Sequence, residues 1–333
     1  MFNRIYIENG IKTEPFVKQI CEKFANANIV ECNHYSEVFN KKAQNFRLQK
    51  QSPGLILAKK QNHFIKPAPP EYGIGGDINY YFSYMLNCIY DCRYCFLQGM
   101  YRSANYVLFI NYEDFLKEIR KTCNNHTNKS CHMFSGYDCD SLAMEPLTGF
   151  MQFLLPQISD ISNLLVELRT KSTQIRTLLD RPPQDNCVIA YSLLPDQLAK
   201  ALDHKAPNIF RRLSAIRKLQ DHGWKIGLRF DPLIYDSDME TIYEDFFSEI
   251  ASQIDAKKIH SISIGTFRLP SSYFNTLAGY YPTDKLILSP LKNSNKMVSY
   301  EQDIKKKMLT YCYEQIHRHF DEKIIYPCET ISE

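Results

Sequence analysis

The chain has 333 residues, 44% apolar and 23% charged, enough to bury a substantial core in one large domain or two modest ones. No apolar run reaches the roughly 20 residues of a bilayer span, and the opening MFNRIYIENG lacks the apolar core and small-residue site of a signal peptide, so no membrane partner and a cytoplasmic location are expected. A net charge of +3 permits a polyanionic partner without requiring one, because phosphate binding depends on a concentrated basic face more than on the total.

Residues 1–50 read as a mixed, fairly polar segment in which KQICEKFANA has helical spacing. IKPAPPEYGIGGD, 65–77, is dense in proline and glycine and is predicted to be a loop. Its GIGGD lacks the strand and helix framing of a phosphate site and reads as a mobile approach to the cysteines that follow. Short apolar runs then alternate with amphipathic stretches. YVLFIN (106–111), CHMFSG (131–136), NLLVELRTKS (163–172), CVIAYSLL (187–194), KIGLRFDPLI (225–234) and IHSISIGTF (259–267) are predicted strands. EDFLKEIRKTC, LTGFMQFLLPQI and IFRRLSAIRKLQDHG are predicted helices, the last closed by Gly223. Strands separated by such helices imply parallel βαβ units, and six units close most of a barrel. Near the C-terminus Tyr300, Ile304, Met308, Cys312, Ile316 and Phe320 repeat every four residues, so DIKKKM marks the solvated face of a helix that packs on the barrel.

In parallel barrels the chemistry gathers at the C-terminal strand ends. Those positions are 135–140, Lys171 and Ser172, Ser192, Asp231, and 266–268, and they are polar and diverse. Of the acids there, Asp140 is expected to cap the turn that follows, and Asp231 with Pro232 ends a strand.

Of 11 cysteines, eight are scattered and read as small buried hydrophobes kept reduced, while Cys88, Cys92 and Cys95 crowd into NCIYDCRYCF. Structural zinc normally needs a second C-x2-C or H-x3-H pair; none stands elsewhere, so a zinc reading would have to recruit Cys123, Cys131 or a distant histidine. Three thiolates at C-x3-C-x2-C can instead hold three corners of a [4Fe-4S] cubane and leave one iron open to a non-protein ligand.

That spacing, with Tyr94 before the last cysteine and six βα units, resembles the radical S-adenosylmethionine (SAM) superfamily. The fold this implies is α/β: a partial (β/α)6 barrel of the TIM type over 76–267, with an N-terminal extension and linker at 1–75. A C-terminal α/β segment at 268–333 would shape the substrate mouth. Within the superfamily, CIYDCRYCFLQGMYRSANYV looks like the spore photoproduct lyase family, in particular its branch outside spore formers. SGYDCDSLAMEPLT, LRTKS, AYSLLPD, GLRFDPLI and YYPTDKL support the likeness.

The resemblance implies a [4Fe-4S] cluster on Cys88, Cys92 and Cys95, with SAM as fourth ligand. Tyr94 would lie against the adenosyl group, Ser135 and Gly136 would meet the SAM amino group, Lys171 its carboxylate and ribose, and Ser192 the ribose. A 5′-deoxyadenosyl radical would then take hydrogen from a thymine dimer in DNA, and a thiol would return one to the product. The implied partners are DNA carrying a pyrimidine photoproduct and an electron donor such as flavodoxin or ferredoxin; the expected state is a monomer. Two departures stand out. Phe96 replaces a relay tyrosine, and Tyr137 stands where the family keeps its hydrogen-donor cysteine, with Cys139 two residues on. Since a two-residue shift keeps the same face of an extended segment, Cys139 is the donor candidate. Arg268, Lys285, Lys292 and Lys296 are candidate phosphate contacts or plain surface cations. Two readings compete: a radical SAM enzyme for another substrate, and a non-catalytic nucleic-acid-binding or zinc-stabilised protein.

Overall fold

The computed structural model describes residues 2–69 and 72–329. RIYIE (β1, Arg4–Glu8) lies between NIVEC (β2, Asn28–Cys32) and LILA (β3, Leu55–Ala58), all three parallel. Every residue of β3 is buried, as in a strand covered on both faces. The connecting helix α1 (Pro15–Lys23) opens with proline, whose missing N–H is no loss in a first turn, and buries Val17 and Ile20. A short α2 (Phe46–Gln51) is capped by the Asn45 side chain. The polar-looking N-terminal segment is thus a folded sheet with its own helices.

The strand predicted at 106–111 forms, but not in the barrel. YVLF (β8, Tyr106–Phe109) pairs with β3, and Met85–Leu86 (β6) follows antiparallel, giving the order β2-β1-β3-β8-β6. An unbroken apolar run says that both faces are covered, not which sheet covers them. The first barrel strand is INYYF (β5, Ile78–Phe82), four of whose five residues are only half-buried, so its apolar signature is weak. Part of the predicted loop is strand as well: Ile65–Pro67 (β4) pairs antiparallel with β5 at the sheet edge, where proline is tolerated. GIGGD is anchored at its C-terminal end. A Cβ on Gly76 would meet the His132 ring at 2.5 Å, and Asp77 is tied to the backbone N–H and hydroxyl of Ser130.

Six strands run parallel in the order β5, β9 (Cys131–Ser135), β10 (Leu164–Thr170), β11 (Cys187–Ser192), β13 (Lys225–Leu233) and β14 (Ile259–Thr266). Ile325–Pro327 (β18) adds a parallel strand beyond β14, so β4 and β18 are two open edges and the sheet is a partial barrel. The connections are α4 (Tyr112–Asn124) before β9, then α5 (Glu145–Thr148) and α6 (Phe150–Ile158), then α7 (Arg176–Leu179). After β11 come α8 (Asp196–Leu202) and α9 (Ile209–His222), and after β13 comes α10 (Met239–Gln253). The helix predicted over 147–158 is split at Gly149, whose φ of +58° interrupts it. Gly223, at φ +103°, ends α9 as expected.

Beyond the barrel, Arg268–Pro270 (β15), Leu291–Ser294 (β16) and Met297–Tyr300 (β17) form a small antiparallel sheet next to α11 (Ser271–Tyr280). The last helix, α12 (Gln302–His317), buries Met308, Cys312 and Ile316 against α10 and β14, as its four-residue repeat requires.

The interior is largely apolar, but β10 carries charge into it. There Glu167, Arg169 and Lys171 alternate, so all three point to one face. The Glu167 carboxylate receives Arg229 at 2.7 and 3.0 Å and Arg169 at 2.6 Å, and Arg229 also donates to the Ser261 carbonyl and hydroxyl. Burial alone would raise the carboxyl, but the two guanidiniums hold it down at about 2.

Candidate active site

The three-cysteine loop begins at Asn87, whose φ of +69° asparagine tolerates and whose amide donates to the Ser103 and Asn105 carbonyls at 2.7 Å each. Cys92 falls in a two-residue strand (β7, Asp91–Cys92) that pairs antiparallel with Asp203–His204 (β12), and Cys95 precedes the short helix α3 (Leu97–Met100). Asp91 takes Lys50 at 3.2 Å and Arg93 at 2.8 Å; Arg93 reaches Asp284 at 3.3 Å, with its guanidinium 3.7 Å from the centre of the Tyr281 ring. The loop is therefore pinned to both the N-terminal and the C-terminal segments.

All three thiols line one cavity of about 570 Å³ at the C-terminal rim of the barrel. Gly136, Tyr137, Cys139, Lys171, Ser192 and Tyr94 line it too, so nearly all the residues chosen from sequence are brought together. Ser135 is the exception: it ends β9 fully buried, and its hydroxyl finds no protein partner. The next residue must be glycine. Gly136 has φ +85°, and a Cβ there would fall 2.6 Å from the Ser141 hydroxyl and 2.8 Å from the Arg169 carbonyl.

Burial pushes the Cys88 thiol up to about 12, and raises Cys95 and, further, Cys92. Cys88 and Cys92 are raised further by the charge of other cysteines of the loop, so the three can ionise together only against a strong positive partner. Among the described residues no three His, Cys, Asp or Glu side chains converge as a single-ion site requires. A cubane instead takes each thiolate at a different iron, which is what three neighbouring soft donors fit.

The phenol of Tyr94 donates to the Asp203 carboxylate, and Lys171 Nζ lies 5.2 Å from the centre of the Tyr94 ring. Against burial, which lowers it, Cys92 and Asp203 keep the Lys171 ammonium charged. Asp140 caps the turn after β9, accepting the N–H groups of Leu142 and Ala143, and also takes the Thr170 hydroxyl and the Lys171 N–H at 2.7 Å each. It thereby fixes the backbone that carries Lys171. The Tyr137 ring is stacked 4.1 Å from Tyr81 and lies 5.2 Å from Phe96. Cys139 is buried nearby, its thiol raised well above the ordinary value by burial and then by Cys88 and Asp138.

Sequence reasoning missed Asp203, Arg212 and Arg169. Arg169 was readable, because a charge at every second position of an apolar strand marks an inward face. Asp203 and Arg212 carry no such signal, since one sits in a two-residue strand too short to show a pattern and the other on a helix already rich in cations. Of the four candidate phosphate contacts, Arg268 pairs with Asp231 at 3.0 Å, Lys285 with Asp236 at 2.5 Å and Lys292 with Glu301 at 3.6 Å. Lys296 sits at the turn of the β16–β17 hairpin at φ +64°.

A partial parallel barrel with a three-cysteine loop at its rim defines the class of radical SAM enzymes. A family model for spore photoproduct lyase matches residues 1–327, and the chain belongs to that family. It is 23% identical over 310 residues to the spore photoproduct lyase of Bacillus subtilis, covering 89% of this chain and 87% of that one. With the enzyme of a Geobacillus species it is 22% identical over 219 residues, 64% of this chain and 63% of the relative. Among solved structures, a spore photoproduct lyase double mutant with bound AdoMet and dinucleoside spore photoproduct superposes with a TM-score of 0.86 at 18% identity, over 99% of this chain and 98% of that one. A single-residue mutant of spore photoproduct lyase superposes at 0.84, with the same identity and coverage.

Proposed function

We propose that this chain repairs DNA by reversing a thymine dimer of the spore photoproduct type, as a radical SAM lyase. The observation that supports it most is the convergence of Cys88, Cys92 and Cys95 with Tyr94, Gly136 and Lys171 on one rim cavity, in a chain that matches the family from end to end. When bound, the cluster and SAM supply hydrogen-atom abstraction. The loop cysteines would hold three irons, Lys171 and Ser192 would meet the SAM carboxylate and ribose, and Tyr94 would lie against the adenosyl group. Gly136, with Ser135 beneath it, offers backbone to the SAM amino group. A lesion inside a duplex must be extruded to reach this cavity, at a cost of a few kcal/mol that poor stacking at the damaged site lowers. The electron that this chemistry needs would come from a small donor such as flavodoxin or ferredoxin.

A hydrogen must be returned to the product. Among the described residues Cys139 is the one cysteine lining the cavity outside the loop, and burial keeps it as S–H, the form that can donate a hydrogen atom. Tyr137, also on the cavity wall, carries the alternative O–H. With Phe96 in the loop, a relay through a phenol at that position is absent. Phe96 and Tyr137 together favour a second reading, the same chemistry on a different lesion.

The test is anaerobic reconstitution followed by SAM, dithionite and a dinucleotide spore photoproduct. The undamaged dinucleotide should form. Formation of 5′-deoxyadenosine with the photoproduct left intact would reject this substrate and favour the second reading.

A further inference from the structure

We propose that Asp203 is a positioning residue for the sulfonium nucleotide, locking the loop that carries Cys92 and Tyr94 onto the end of the fourth barrel strand; this rests on the reading of the loop given above. Asp203 emerges from α8, and its backbone pairs with Cys92. Its side chain is 1% exposed, and the carboxylate accepts the Tyr94 hydroxyl and meets the Arg212 guanidinium at 2.7 Å. Arg212 is equally buried, donating Nη1 to the Ser192 carbonyl at 3.1 Å and Nε to the Pro207 carbonyl at 2.8 Å. One residue thus joins a cluster ligand's backbone through its own backbone and, through its carboxylate, the aromatic beside the adenosyl group and, by way of Arg212, the strand end that bears Ser192.

The arrangement suits positioning rather than chemistry. A tyrosine ring that must lie flat beside a nucleotide has two torsions to fix: anchoring its hydroxyl on a buried anion fixes the direction of the ring axis, and Lys171 over the ring face restrains the rotation of its plane. The carboxylate is balanced there by the equally buried Arg212 guanidinium at 2.7 Å. Lys171 in turn stands over the Tyr94 ring, so ring, ammonium and carboxylate hold one another in place. Groups that orient ligand-contacting side chains in this way typically cost 10–100-fold in affinity when removed.

The test uses the full chain, reconstituted anaerobically, with Asp203→Asn and Tyr94→Phe. SAM affinity is read by equilibrium dialysis and by the change SAM causes in the electron paramagnetic resonance spectrum of the reduced cluster. Both variants should keep the iron content of the wild type and raise the SAM dissociation constant about tenfold or more. If Asp203→Asn does not fold, Tyr94→Phe decides, because it leaves the Asp203–Arg212 pair intact. A dissociation constant within about twofold of wild type in the folded variants overturns the proposal while leaving the reading beneath it standing. A wild-type chain that takes up no cluster removes both.

Discussion

The ring of Phe96 lies 5.2 Å from that of Tyr137, whose other neighbour, Tyr81, stacks at 4.1 Å. The three rings therefore form a continuous aromatic wall in which Phe96, next to Cys95, carries no hydroxyl. Cys139 stands on the same loop as Tyr137, and both line the cavity that the thiols of Cys88, Cys92 and Cys95 share.

With Cys139 as the proposed hydrogen donor, Cys139→Ala should cut the yield of undamaged dinucleotide about tenfold or more while SAM cleavage persists. Tyr137→Phe should leave clean repair in place. Product analysis of both variants, run in deuterated buffer to label the returned hydrogen, checks the assignment; the opposite pattern would make Tyr137 the donor.

Lys171→Met removes an ammonium that both Cys92 and Asp203 hold charged. The loss of one charge-assisted contact to a carboxylate should weaken SAM binding about tenfold or more, with the iron content unchanged. Dialysis with labelled SAM measures it, and an unchanged affinity would remove Lys171 from the binding site.

The buried Glu167 predicts a pH dependence of stability. Its folded value, about 2, lies below that of an unfolded glutamate, so its contribution is fully present above roughly pH 4.3 and is lost as pH falls toward 2. Acid titration of urea unfolding should show Glu167→Gln less stable than wild type at neutral pH, and the difference should shrink as the medium is acidified through that window. Arg229→Met, which strands the carboxylate between fewer partners, should cost about 3–5 kcal/mol at neutral pH.

Gly136→Ala adds a methyl group where φ is +85° and two atoms stand within 2.8 Å. A destabilisation of about 1–3 kcal/mol is expected, with weakened SAM binding, since the backbone there lines the cavity. Thermal unfolding of the variant checks the first part; an unaltered midpoint would mean that the loop adapts.

Much of this was legible in the chain. The C-x3-C-x2-C spacing and the polar residues closing each apolar run pointed to one rim, and the cavity unites them. Periodicity gave the type of element but not its partners: YVLF at 106–109 is a buried strand, yet only three-dimensional pairing reveals that it extends the N-terminal sheet. INYYF was overlooked because a strand half-covered on both sides shows neither an apolar run nor a clean alternation. Asp203 was invisible for another reason. Its role depends on Tyr94, 109 residues away, and on Arg212, whose helix offers three other arginines and lysines with equal claim on paper.

The central claim is that three cysteines hold the cluster and leave one iron to the nucleotide. Mössbauer spectroscopy of the chain loaded with ⁵⁷Fe tests it most directly: roughly four irons per chain are expected, one of which changes its spectrum when SAM is added. Irons that are all indifferent to SAM, in a protein that loses its cluster on Cys139→Ala, would show a fourth thiolate on the metal and contradict the account.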